Sequence, residues 1–234
     1  MARSGIPLLA VLIDADNSSP KWVEAIFEEI AGLGEASVRR IYGDFSRAQM
    51  SGWQEKLPSL ALVPHHQPAN TVGKNSSDIA LVIDAMDLLH TGRFDGFVLI
   101  SSDSDFTRLA SRIREQGLDV YGIGQRKTPE AFRKACKRFI FVENILPDAD
   151  PEPAQSRKSP PSKAVPLIEA AMQAIDKDED WFSLGQVGQF IVAANPDFDA
   201  RNYGCAKLSE LVAKSGAFEL RKSSGNSMQL RLKP

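Results

Sequence analysis

Six short apolar runs, separated by helical stretches, constrain this chain more than any other feature. LLAVLID (8–14) is apolar at every position until its final carboxylate, the mark of a strand covered on both faces. SVRRIYG (37–43), LALV (60–63), GFVLIS (96–101), LDVYGI (118–123) and RFIFV (138–142) read as five more strands. Between them, Val23, Ile26, Phe27 and Ile30 repeat at i, i+3, i+4, i+7 behind a Ser19-Pro20 start, and Gly32-Leu33-Gly34 stops that helix. Further helices are expected at 47–57, at 79–90, around Phe106, Leu109, Ala110 and Ile113, and behind Thr128-Pro129 through Phe132, Ala135 and Cys136. Strands covered on both faces and joined by helices imply α/β architecture with a doubly wound parallel sheet.

That pattern stops at Pro147. The segment 147–162, PDADPEPAQSRKSPPS, has five prolines in sixteen residues and no large apolar residue, so it reads as a semi-extended linker. It separates a domain at 1–146 from a smaller one at 163–234. The smaller one shows helical segments at 167–175, 183–192 and 203–215. Two alternating strands, FELRK (218–222) and MQLRL (228–232), follow around the turn Ser223-Ser224-Gly225-Asn226. Three helices and then a hairpin is winged-helix order, a binding fold.

Charge gives no global clue, because 28 basic residues face 30 acidic ones for a net −2. No stretch of 18 apolar residues appears, so no membrane span is expected, and no signal-peptide core follows Met1. Cys136 and Cys205 are too few for a disulfide framework or a four-ligand zinc site, which fits a reduced, cytoplasmic protein.

The acids carry more information. In a doubly wound sheet the functional crevice lies at the carboxyl ends of the strands, where strand order reverses. Asp14 and Asp16, with Asn17 beside them, follow the first strand. Asp103 and Asp105 follow the fourth, in Ser101-Ser102-Asp103-Ser104-Asp105. Asp78 opens a helix behind the loop Gly73-Lys74-Asn75-Ser76-Ser77. Acids converging on one crevice repel unless a cation is shared, and hard Mg²⁺ or Mn²⁺ takes oxygen ligands of this kind. Asp16, Asp78 and Asp105 also sit where an acid caps a helix, an alternative use for each. Asp84 and Asp87, inside an apolar helix, are expected at a solvated rim. Nine Lys or Arg against three acids lie between Arg108 and Arg138, and Arg126-Lys127 falls at the crevice end of the fifth strand. A basic rim around an acidic centre suits a phosphodiester polymer, whereas Arg112, Arg133, Lys134 and Lys137 fit a solvated helix face. Gly122-Ile123-Gly124 lacks the third glycine of a dinucleotide fingerprint, and no phosphate-binding G-x-x-x-x-G-K-[ST] loop exists. In the tail, Trp181, Phe198, Tyr203, Lys207, Lys214, Arg221 and Lys222 offer stacking and phosphate contacts, the three aromatics being equally suited to a small core.

VLIDADN (11–17), KNSSDIALVIDAMDLL (74–89) and VLISSDSDFTRLASRIREQG (98–117) together resemble the NYN domains of the PIN-like nuclease family, over roughly residues 7–146. WFSLGQVGQFI (181–191), NPDFDARNYGCAKLSELV (195–212) and FEL (218–220) are similar to the OST-HTH, or LOTUS, domain. The resemblance implies a metal-dependent endoribonuclease in which Asp14, Asp78, Asp103 and Asp105 hold Mg²⁺ or Mn²⁺ and act in catalysis. On that reading Asn17 fixes the first acid, and Lys74, Ser102, Arg126 and Lys127 contact RNA phosphates. The tail would recruit RNA or a protein partner. Two alternatives stand beside this: an RNA-binding scaffold with a silent nuclease fold, and a haloacid-dehalogenase-type phosphatase. The second rests on Asp14-x-Asp16-x-Ser18, but no matching threonine and lysine accompany it.

Overall fold

The computed structural model describes residues 5–66, 76–146, 158–175, 180–223, 225 and 227–233. The chain divides into two compact units, Met1–Ala149 and Asp150–Pro234. Residues 147–157 of the proline-rich segment, and the loop residues Gly73, Lys74 and Asn75, lie outside the described residues.

In the first unit the elements run β1 (Leu8–Asp14), α1 (Val23–Ala31), β2 (Glu35–Gly43), α2 (Ser51–Ser59), β3 (Val63–His66) and α3 (Ser76–His90). They continue β4 (Gly96–Ile100), α4 (Thr107–Glu115), β5 (Asp119–Gly124), α5 (Glu130–Ala135), β6 (Arg138–Phe141) and α6 (Val142–Ile145). All six strands are parallel, in the order β3-β2-β1-β4-β5-β6. Strand order therefore reverses between β1 and β4, the position at which doubly wound sheets place their crevice, beyond the carboxyl ends.

Residue alternation divides the core. Leu9, Val11 and Ile13 pack with Ile26, Ile30, Trp53, Val98 and Ile100 on the α1/α2 side. Ala10 and Leu12 pack with Leu81, Ala85, Phe97, Leu99 and Leu109 on the α3/α4 side. The same alternation sends Asp14 and Ser101, each just past an apolar strand, toward the α3/α4 side. Gly124 ends β5 hard against β4. A Cβ there would come within 2.4 Å of the Ser101 carbonyl oxygen, so only glycine lets the two strand ends approach this closely.

The third strand is displaced from its sequence-based position. Leu60 and Ala61 leave α2 through a left-handed residue, Ala61 at φ 51°, and β3 begins only at Val63. The strand Val-Pro-His-His contains Pro64, but β3 pairs with β2 alone, and an edge strand tolerates a residue without an N–H. The closing strand stops at Phe141, and Val142 begins α6.

The second unit contains α7 (Val165–Ala174), β7 (Phe182–Ser183), α8 (Leu184–Ala194), α9 (Leu208–Ser215), β8 (Phe218–Lys222) and β9 (Met228–Leu232). Pro161–Ala164 forms a 3-10 turn ahead of α7. The strands make an antiparallel sheet in the order β7-β9-β8, a hairpin with one extra short strand. The stretch 203–215 is not one helix. A 3-10 turn at Ala200–Tyr203 ends on Gly204 at φ 71°, and α9 starts four residues later, where Glu210 accepts from the Ala206 N–H at 2.7 Å. Ile168, Val187, Ile191, Leu211, Val212 and Leu230 form its core, with Phe198 packed among them.

Candidate active site

Asp14 is the centre of a hydrogen-bonded knot. Its side chain is 1% exposed. Oδ1 accepts from the Asp16 and Asn17 backbone N–H groups at 3.1 and 3.2 Å. Oδ2 accepts from Asn17 Nδ2 at 2.9 Å and from Ser101 Oγ at 2.7 Å. Burial pushes this carboxyl above its ordinary range, and the Ser101 and Asn17 donors oppose the push without cancelling it. Ser101 Oγ in turn accepts from the Asp103 N–H at 3.0 Å, tying the end of β4 to the end of β1.

Asp103 caps a 3-10 turn at Ser104–Phe106, accepting from the Asp105 N–H at 2.9 Å. The cap is thus Asp103 and not Asp105, whose side chain is exposed. Asp16 is not a helix cap either. Ser19 holds that role, and Asp16 Oδ2 accepts from the buried Ser77 hydroxyl at 2.9 Å. That bond joins the β1 end to the first turn of α3, where Asp78 sits one residue on. Asp78 is pushed up to about 6, first by burial and then by the charges of Asp14, Asp103, Asp16 and Asp105. Five acids from two strand ends and a helix start therefore share one electrostatic neighbourhood.

The donor set is all oxygen and anionic, which suits a hard divalent ion and not zinc or copper. As placed, no three described His, Cys, Asp or Glu side chains form a ready metal cage. The fit is one of charge and donor chemistry.

The other sequence-derived residues fall in different settings. Asn17 is exposed yet uses both its amide groups on Asp14. Ser102 Oγ accepts from the Gln125 N–H at 2.9 Å, pinning the loop after β5 and leaving its own proton to donate. Arg126 is half-buried. Its guanidinium donates to Asn144 Oδ1 at 3.0 Å and lies over the Phe141 ring at 5.1 Å. Lys127 is exposed beside it, and Lys74 lies outside the described residues. Farther along the basic stretch, Arg112 pairs with Glu115, Lys134 with Glu130 and Lys137 with Asp119, as a solvated helix face would.

Two features escaped the sequence. Ser101 and Ser77 are buried hydroxyls that organise the acids, and a serine directly after an apolar strand was the available signal. Asp84 is no solvated rim residue. Its Oδ2 accepts from Tyr42 OH at 2.8 Å and Arg40 Nη1 at 2.9 Å, with His65 Nδ1 at 3.2 Å. Tyr42 is fully buried, and burial with the Asp84 charge holds its phenol far above its ordinary range. This network locks α3, and with it Asp78, to β2 and β3.

A doubly wound sheet with acids at its switch point, followed by a winged-helix unit, defines a two-part α/β protein with an anionic crevice. The chain matches the NYN domain model over residues 8–144 and the OST-HTH/LOTUS domain model over residues 158–229. It belongs to the NYN domain family and carries a C-terminal OST-HTH/LOTUS domain. NYN domains are nucleases and LOTUS domains bind RNA. The chain is similar in fold, over 62% of its length, to a crystallised Vibrio parahaemolyticus protein of unknown function, VPA0982, at TM-score 0.52 and 19% identity, with 98% of that protein covered. An uncharacterised Nitrosomonas europaea protein, NE0665, known from a solution structure, is 31% identical over 37% of this chain and 90% of its own, at TM-score 0.28. No curated protein matches the chain.

Proposed function

We propose that the chain is a divalent-metal-dependent endoribonuclease that hydrolyses RNA phosphodiesters to 5′-phosphate and 3′-hydroxyl ends. One observation carries the reading: acids from two strand ends, Asp14, Asp16, Asp103 and Asp105, converge on Asp78 at the start of α3, whose carboxyl is raised to about 6 first by burial and then by their charges. Charges so arranged weaken the fold unless a cation joins them. Asp14, Asp78, Asp103 and Asp105 are the residues that would hold Mg²⁺ or Mn²⁺. A bound ion would activate the attacking water and offset charge on the phosphoryl oxygens and the leaving oxygen. Asn17 and Ser101 would keep Asp14 ionised and oriented. Ser102 and Lys127 would bind phosphate, together with Lys74 and Arg126. The C-terminal domain would recruit RNA, and residues 147–162 would link it to the nuclease domain. Two buried free cysteines agree with a reducing cytoplasm. Among the described residues no helix is long and apolar enough to cross a membrane.

A second reading, a silent nuclease fold that binds RNA, draws on the commitment of both Asp14 oxygens to four internal donors. The same commitment argues against a covalent phospho-aspartate at Asp14. Incubating the full chain with single-stranded RNA and excess Mn²⁺ separates the two readings. The nuclease reading expects cleavage that Asp103→Asn and Asp78→Asn each reduce at least about a hundredfold. RNA retained but uncut by the wild-type chain establishes the silent fold.

A further inference from the structure

The outward face of the small sheet carries side chains that the catalytic reading leaves unused. Alternation along β8 and β9 sends Leu220 and Leu230 toward the core and leaves Glu219, Arg221, Gln229 and Arg231 on the other face. Trp181, immediately before β7, lies half-buried on that face. The Arg221 guanidinium carbon is 4.0 Å from the centre of the Trp181 ring, and that of Arg231 is 4.8 Å away. Each arginine is also held by its Nε: Arg221 donates to Gln229 Oε1 at 2.9 Å, and Arg231 to Glu219 Oε2 at 2.7 Å.

The two arginines differ in one respect. Glu219 neutralises Arg231, whereas no described carboxylate pairs with Arg221. A guanidinium stacked on an indole and fixed through Nε is already ordered, so little conformational freedom remains to be lost when it binds an anion. Its Nη groups are the donors of a bidentate phosphate contact. A layered indole–guanidinium surface also offers a flat platform to a planar ligand. Lys222, exposed next along β8, adds positive charge to the rim.

We propose that the Trp181–Arg221–Arg231 face is a binding site for single-stranded RNA, with Arg221 on a phosphate and a base stacked on the Trp181–arginine layer. An acidic peptide would use the charge but not the flat surface, which is why the planar, polyanionic ligand is preferred. The proposal rests on the reading that the C-terminal domain recruits RNA, and it names where.

The test uses the full chain in EDTA, so that no cleavage intervenes, with a fluorescein-labelled single-stranded RNA titrated at two salt concentrations. Arg221→Gln is expected to weaken binding about tenfold and to make the salt dependence shallower by about one charge. Trp181→Leu is expected to weaken it similarly, and Lys163→Gln, exposed elsewhere in the unit, to leave it unchanged. Far-ultraviolet circular dichroism checks that each variant is folded. Ultraviolet cross-linking followed by peptide mapping locates the RNA independently. Cross-links at Trp181 or within 221–231 together with the affinity losses support the site. Cross-links elsewhere within 158–234, with unchanged Arg221→Gln affinity, overturn the site and leave RNA recruitment by the domain intact. Cross-links confined to the first unit, or capture of an acidic peptide with no RNA binding, overturn both.

Discussion

Neutralising Asp78 is expected to make the metal-free nuclease domain more stable, although it deletes a residue of the proposed centre. The folded carboxyl is raised from the ordinary 3.8 to about 6. A raised pKa means that ionisation costs the folded state. The cost is small below about pH 4, grows as pH rises from about 4 to about 6, and is complete by about pH 7.5. Two units correspond to about 3 kcal/mol, which partial exposure and screening reduce to about 1–2 kcal/mol. Asp78 also sits in the first turn of α3, where an acid gains about 0.3–1 kcal/mol from the helix dipole. A net gain of about 1 kcal/mol remains for Asp78→Asn at about pH 7.5, or about fivefold slower amide exchange in β1 and β4. Hydrogen exchange by mass spectrometry in EDTA resolves those strands from the second unit. Saturating Mn²⁺ is expected to reverse the ranking, because the wild-type chain gains the binding free energy that the variant loses. Equal or faster exchange in metal-free Asp78→Asn at about pH 7.5, or a difference that persists at about pH 4, would refute the repulsion on which the metal reading stands.

Ser101→Ala should cost about 1–3 kcal/mol, read as a lower denaturation midpoint, because Asp14 Oδ2 loses a buried donor and the Asp103 N–H its acceptor. Asp84→Asn should destabilise the first unit by about 2 kcal/mol in the same assay, through weakened ties to Tyr42 and Arg40. Gly124→Ala should cost about 1–3 kcal/mol and shift Ser101, visible as lost cleavage together with a lowered melting temperature. A Gly124→Ala protein that melts and cuts like wild type would show that the β4–β5 approach is not tight.

The parallel sheet was readable because β1 and β4 are buried on both faces and show it in unbroken apolar runs. The acids were readable because strand ends in such a sheet share a crevice. What stayed hidden depended on backbone geometry or long-range pairing. Leu60-Ala61-Leu62 is apolar enough for a strand, yet Ala61 turns left-handed, and the strand forms on the less apolar Val-Pro-His-His. Gly204 breaks a helical pattern that reads as continuous through Tyr203 and Leu208. Asp84 looked solvated because its partners, Arg40, Tyr42 and His65, lie at least nineteen positions away in the chain and meet it only across the fold. Asp14 was legible as a strand-end acid held by Asn17, but its fourth donor was not, since Ser101 lies 87 residues away.

That separation orders events during synthesis. β1 leaves the ribosome long before β4, and its acid has no Ser101 to meet until residue 101 has emerged; Asp103 follows two residues later. A chain stalled or cleaved ahead of that point carries Asp14, Asp16 and Asp78 without the strand that brings Asp103 and Asp105 to them. Loop closure over such a distance is slow compared with local helix formation. Asp14 and Asp103 therefore cannot share a site until β4 has been made and has paired with β1.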